Sequence, residues 1–173
     1  MSQTPIPDYF DRARLGASAG LFVAGILAIV GCFLTWVTFS LDEPPGTSTR
    51  VSPSAPIAGT KVSDWKVVLV AGAVVIICAA LLASRERSLY PWISFIASMF
   101  IGAIAVADYR GLGDPTSGFL RGLEHALHTT VQGKAKPGVG LTLVAIAGVG
   151  GLIASVIGIA ASPHRDRLPP SQE

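Results

Sequence analysis

Three ionisable side chains, Glu124, His125 and His128, lie close together within residues 118–131. On a helix Glu124 and His128 are one turn apart and could bind one metal ion. In a helical projection His125 points about 60° away from His128, and Arg121 projects between the two. A cation bound there would face the positive charge of Arg121. The stretch contains no His-Glu-x-x-His motif and no cysteine. The pattern therefore predicts neither a metal site nor a bound cofactor.

Residues 114–132 have the sequence of an amphipathic helix. Asp114 followed by Pro115 is a favourable helix start, and Gly133 is a suitable stop. At about 100° per residue, one arc collects apolar side chains that we expect to dock on the membrane or on a protein. This docking stripe contains Phe119, Leu120, Leu123 and Leu127. Ion pairs on a solvated face are the favoured role of the opposite arc, and pH-sensitive docking through its histidines is the alternative.

The distribution of charge decides the class of protein. Of the 173 residues, 50% are hydrophobic and 14% are charged, and the mean hydropathy is +0.56. A soluble domain usually carries about 25% charged residues. Four segments of 27, 18, 20 and 28 residues contain no Asp, Glu, Lys or Arg. Four buried helices of a soluble protein would leave too little polar surface to cover them, so we expect an integral membrane protein.

The predicted fold is an all-α membrane protein, a bundle of four transmembrane helices with the amphipathic helix in its second outer loop. The expected spans cover about 15–39, 65–83, 89–107 and 139–161, within a domain of 15–161. Residues 1–14 form the predicted N-terminal segment and 162–173 a flexible tail. Short turns and ends carry dense Arg, which favours both termini in the cytoplasm of a plasma (inner) membrane protein.

Catalysis is not predicted, and no catalytic residue is assigned. Membrane enzymes, proton-coupled carriers and ion channels with a charged selectivity filter need ionisable groups inside the spans. Here Asp64, Lys66 and Asp108 lie at span ends, where anchoring at the interface is the expected role. Cys32 and Cys78 fall at different depths of their spans, so no disulfide is expected. Nucleic acid is not an expected partner either.

Small residues recur along the spans at four-residue spacing, a pattern that lets helix backbones approach closely. The first span has Gly16 and Gly20, and the fourth has Ala147, Gly151 and Ser155 on one stripe. A second stripe of the fourth span contains Ala154, Gly158 and Ser162. Packing inside the bundle explains one stripe, so the other is a candidate interface with a partner protein.

The overall pattern resembles small four-span membrane proteins of actinobacteria. It combines two helical pairs, a first outer loop rich in Pro, Ser and Thr, and a Gly-Val-Gly-Leu entry at 138–141 into a Gly/Ala-rich last span. Within that group the chain resembles the accessory subunit of the mycobacterial Mce lipid importer. Claudin-type proteins are a more distant comparison, because their Trp-Gly-Leu-Trp motif and paired loop cysteines are missing here.

The resemblance implies an accessory subunit without catalytic activity, in contact with membrane lipids and a larger, lipid-transporting membrane complex. An autonomous carrier of lipids or small molecules is the alternative, and it would need a polar or charged cavity between the spans. An enzyme with an interfacial site is the third and weakest hypothesis.

Overall fold

Four long helices dominate the structure, a computed structural model that describes residues 8–41, 54–61, 64–84, 89–112 and 133–162. They are α1 (Asp8–Phe33), α2 (Trp65–Ser84), α3 (Leu89–Gly111) and α4 (Val139–Ala161). Each is long and apolar enough to cross a membrane. The predicted amphipathic helix lies outside the described residues.

Helices α2 and α4 have the bounds of the expected spans to within a residue, and α3 begins as expected but ends at Gly111 rather than near 107. Helix α1 is displaced. It begins at Asp8, inside the segment expected to precede the first span, and ends at Phe33 rather than near 39. Charged residues such as Arg12 are compatible with helix, so charge alone marks the edge of the apolar span and not the start of the helix. The apolar, membrane-compatible part of α1 is Arg12–Phe33.

The helices form a closed bundle in which α1 packs on α2 and α4, and α3 packs on the same two neighbours. Leu21, Val75, Ile101 and Val144 are among the buried side chains at its centre. Large apolar side chains on every helix instead face outward, including Phe22, Ile26, Val67, Ile77, Met99, Phe100, Ile153 and Val156. So much exposed apolar surface is unfavourable in water. Together with the helix lengths it indicates a multi-pass membrane protein.

A three-stranded antiparallel sheet corrects the all-α prediction. Its strands are β1 (Thr35–Leu41), β2 (Ser54–Ala58) and β3 (Gly133–Pro137), in the order β2-β1-β3. Val37 of β1 lies opposite Ile57 on one side and Pro137 on the other. Residues 35–39 are all β-branched or aromatic, a composition that favours strand. Their hydropathy nevertheless extends that of α1, which is why the expected first span included them.

The sheet lies at one end of the bundle, here called the sheet end, where α1 and α3 end and α2 and α4 begin. A short 3-10 helix, Gly59–Lys61, follows β2 toward α2. The Gly59 amide donates a hydrogen bond to the Leu34 carbonyl at 2.9 Å, and the Gly138 amide donates to the Trp36 carbonyl at 2.6 Å. These bonds attach the segments before α2 and α4 to the start of β1. The opposite end of the bundle is called the far end.

Candidate functional site: a closed interior, a caged tryptophan and an apolar groove

Glycine pairs at three helix crossings close the interior of the bundle. A Cβ atom added at Gly148 of α4 would lie 2.7 Å from the Cα atom of Gly102 of α3. At the α1–α2 crossing, a Cβ atom at Gly25 would lie 2.9 Å from the Gly72 carbonyl oxygen. Because these helix backbones touch, nothing larger than a hydrogen atom fits between them at those levels. The third pair, Gly31 and Gly140, joins α1 to α4 in the same way.

The small residues singled out in the sequence lie mostly inside the bundle. A Cβ atom at Gly20 would lie 3.1 Å from the Ala154 Cβ atom, and Ala147 and Ser155 are buried. Gly151 faces Ser98, and a Cβ atom there would lie 3.6 Å from the Ala24 Cβ atom. In the structure, members of both small-residue stripes of α4 are buried against neighbouring helices, whereas a role of either stripe as a partner interface stays a prediction. Gly16, in contrast, is exposed with nothing within 4 Å of a Cβ atom.

The polar side chains inside the described bundle are mostly serines. Ser18 donates a hydrogen bond to the Ala79 carbonyl at 2.8 Å, which joins α1 to α2. Ser94, Ser98 and Ser155 are also buried; Ser94 lies beside the Cys78 thiol, and the structure gives the hydroxyl oxygens of Ser98 and Ser155 no hydrogen-bond partner. A helical serine can share the carbonyl four residues before it after a change of rotamer, so these hydroxyls are consistent with packing. They do not form a nucleophile–base pair.

Asp108 lies in the last turn of α3, at the end of the span as expected, and is buried there. It is 5% exposed, and one of its carboxylate oxygens, Oδ2, has no hydrogen-bond partner in the structure. The residue follows Ile101 by two helical turns and Ala105 by three residues, which places it on the buried face of α3. That spacing could have revealed its burial from the sequence. In the described ranges, no group of three or more His, Cys, Asp or Glu side chains could hold a metal ion.

Trp36 links the sheet to the bundle through a cage of glycines. Its side chain is fully buried, and its Nε1 atom donates a hydrogen bond to the Gly31 carbonyl at 2.7 Å. The indole lies directly against Gly59, where a Cβ atom would overlap it. A Cβ atom at Gly140 would lie 2.7 Å from the indole Cδ1 atom. One side chain therefore touches the end of α1, the 3-10 helix and the start of α4.

Both cysteines are free and buried. The Cys32 thiol is within 3.3 Å of the Ala28 carbonyl and 3.7 Å of the Trp65 carbonyl. Cys32 therefore packs beside the Trp36 cage at the sheet end, while Cys78 belongs to the far half of α2. A buried, uncharged thiol behaves as a small apolar side chain, so both cysteines contribute to packing.

An apolar groove of about 580 Å³ runs between α2 and α3 on the outside of the bundle. Most of its walls belong to side chains that are half-buried or exposed. The residues that line it on α2 are Lys66, Val67, Val70, Ala71 and Val74, and those on α3 are Ile93, Ile96, Ala97 and Phe100. Lys66, in the first turn of α2, contributes the charged side chain of this lining and lies at the sheet end. The groove is not evident from the sequence, because no motif marks a surface shared by two helices.

The chemistry-bearing residues of the second loop, Glu124, His125 and His128, lie outside the described residues, as does the predicted docking stripe. Their assignment to a solvated face stays a prediction. No protein-family model, no curated protein and no solved structure matches this chain. The geometry of the bundle and its surfaces are therefore the observations that bear on function.

Proposed function

We propose that the chain is a non-catalytic accessory subunit of a larger membrane assembly, a lipid transporter of the Mce type in an actinobacterial cell envelope. The observation that carries this proposal is the closed interior. Backbone contacts at Gly102–Gly148 and Gly25–Gly72 hold neighbouring helices together, and large side chains such as Leu21 and Ile101 are buried between the helices, so the described bundle is packed along its centre. A chain of this shape acts through its surfaces, by contact with lipids and with other proteins.

The sheet end supports the same proposal. The hydrogen bonds of Trp36 and the close contacts of its glycine cage hold a small sheet in a fixed position on the bundle. A fixed platform outside the spans is suited to binding a partner, because little conformational freedom is lost on association. If both termini are cytoplasmic, this platform lies on the outer side of the plasma membrane.

The alternative function is an autonomous carrier of a lipid or small molecule. The groove between α2 and α3 favours it, because a site for one apolar ligand is already formed on the membrane-facing surface. A carrier must also expose its site to each side of the membrane in turn. The three glycine crossings oppose such movement, so the accessory role is the primary proposal.

Affinity purification tests this proposal. The tagged chain is expressed at its native level, extracted in a mild detergent, and the recovered proteins are quantified by mass spectrometry. We expect a permease of the ABC type, together with Mce-type proteins, at a fixed molar ratio to the tagged chain. A tagged four-span protein of unrelated sequence serves as the control. Recovery of the chain alone, as a monomer or homo-oligomer, would contradict the accessory role and make the autonomous carrier the favoured function.

A further inference from the structure

We infer that the groove between α2 and α3 binds one acyl chain of an anionic phospholipid, whose headgroup contacts Lys66. This inference goes beyond the accessory role and holds whether or not the chain joins a larger assembly. It depends on the length of the groove, on the character of its walls and on the position of its charge.

The groove is long enough for one lipid tail. Lys66 lies in the first turn of α2 at the sheet end, and Ile93 lies about one turn into α3 at the far end. The lining covers about 12 Å of α2, from Lys66 to Val74, and about 10 Å of α3, from Ile93 to Phe100. Because α2 and α3 run in opposite directions, these two stretches follow each other along the bundle, so the groove extends for roughly 20 Å. One leaflet contributes about half of a hydrocarbon core that is about 30 Å thick. An acyl chain of ordinary length therefore fits along the groove.

The walls and floor have the shape of a tail-binding surface. Ala71 and Ala97 are buried and form a shallow floor, because neither side chain extends beyond its Cβ atom. Val70 and Phe100 are 60% and 53% exposed and rise on the two sides. The volume of about 580 Å³ lies within the range of about 300–1,000 Å³ found for small-molecule sites.

The single charge favours an anionic headgroup. Lys66 is exposed, and its long aliphatic stem can extend along the groove while its ammonium group reaches the headgroup layer. In the described part of the chain no carboxylate lines the groove. Asp64 lies in the turn before α2 and is not among the residues that line the groove, and Asp108 is buried within α3. Among the described residues, the lining therefore places no carboxylate next to the ammonium group in the groove.

Lipid binding by the purified chain tests the headgroup contact. Delipidated protein is titrated with dioleoyl phosphatidylglycerol or dioleoyl phosphatidylcholine, which share their acyl chains, and bound lipid is counted by native mass spectrometry. A basic side chain at a membrane surface contributes about 1 kcal/mol toward an anionic lipid. We therefore expect Lys66→Gln to lower the preference for phosphatidylglycerol about fivefold. Lys136→Gln, an exposed lysine of β3 at the same end, should retain the preference.

A second variant tests occupancy of the groove without touching the charge. Val70→Trp places a large ring across the groove from an exposed position, whereas Val149→Trp adds the same ring to the exposed face of α4. We expect Val70→Trp to lose the tightly retained lipid and Val149→Trp to keep it.

Two results would overturn the inference. In the first, the wild type, Lys66→Gln and Val70→Trp all retain the same amount of lipid with the same headgroup preference. That pattern is expected of lipids that bind without a defined site. The other is a wild-type dimer without retained lipid that Val70→Trp converts to a monomer, since the groove would then hold a second copy of the chain. Neither result bears on recovery of a larger complex, so this inference and the accessory role fail separately.

Discussion

Trp36 makes the side-chain contacts that hold the sheet on the helix bundle. Its indole is fully buried, and its Nε1 atom donates to the Gly31 carbonyl at the end of α1. A buried indole needs such a partner, because an unsatisfied N–H in an apolar site costs about 1–3 kcal/mol. The short distance to Gly59 also means that this ring and that glycine require each other.

Replacing Trp36 should loosen the sheet end. We expect Trp36→Ala to lower the free energy of unfolding by about 3–5 kcal/mol, the usual cost of deleting a buried aromatic side chain. Trp36→Phe retains a ring but loses the hydrogen bond, so its loss should be smaller. Thermal unfolding in detergent measures both. Trp92→Ala, at a position that is 53% exposed, is the control, and equal stability of Trp36→Ala and Trp92→Ala would contradict the cage.

Gly150 and Gly151 are a matched pair that separates internal packing from the outer surface of α4. Gly151 faces Ser98 inside the bundle, whereas a Cβ atom at Gly150 meets nothing within 4 Å. We expect Gly151→Leu to destabilise the bundle by about 1–3 kcal/mol through overpacking. Gly150→Leu should remain within about 0.5 kcal/mol of the wild type. The same unfolding assay compares them, and equal effects would mean that α4 is rotated from its described position.

Asp108 provides a prediction about a buried charge. A carboxylate that is buried without full hydrogen bonding opposes folding, because it loses hydration that nothing replaces. Asp108→Asn keeps the size of the side chain and removes its charge, so we expect stability to rise by about 1 kcal/mol or more. Unfolding temperature is the measurement. A lower unfolding temperature would show that the carboxylate has a stabilising partner outside the described residues.

Among the elements, helices α2 to α4 were predictable and the sheet was not. Uncharged segments of about 20 residues define a span through composition alone, and α4 begins and ends where its segment predicted. Strand β1 has the same hydropathy as the end of α1, so an average over this region does not separate them. Its β-branched and aromatic residues from Thr35 to Phe39 favour strand, but a strand also needs partners. Those partners, β2 and β3, are short segments, and β3 is separated from β1 by about 90 residues.

The sequence predicted close contacts between helices inside the bundle, but not which helix faces make them. Small residues at four-residue spacing indicated close helix contacts, and Gly20 and Gly151 make such contacts. The sequence could not tell which stripe faces which neighbour, because each helix can rotate about its axis until all four are packed. The groove was unpredictable for the same reason, since it depends on the spacing between α2 and α3.

The orientation of the whole molecule stays a prediction from the density of basic residues. It can be tested with Lys136→Cys at the sheet end and Ser84→Cys at the far end, both exposed, after Cys32 and Cys78 are replaced by alanine. We expect a membrane-impermeant maleimide to label position 136, and not position 84, in intact cells whose outer layers have been permeabilised. Labelling of position 84 alone would reverse the orientation and place the sheet in the cytoplasm.

The central claim is that this chain works as part of a larger assembly rather than alone. The most direct measurement is the mass of the particle that the tagged chain forms when it is extracted from native membranes in mild detergent, with its subunits counted by quantitative mass spectrometry. The account predicts a particle several times heavier than the 17.9 kDa chain, with an ABC-type permease at a constant ratio. A particle that contains only this chain, as a monomer or as copies of itself, would contradict the account.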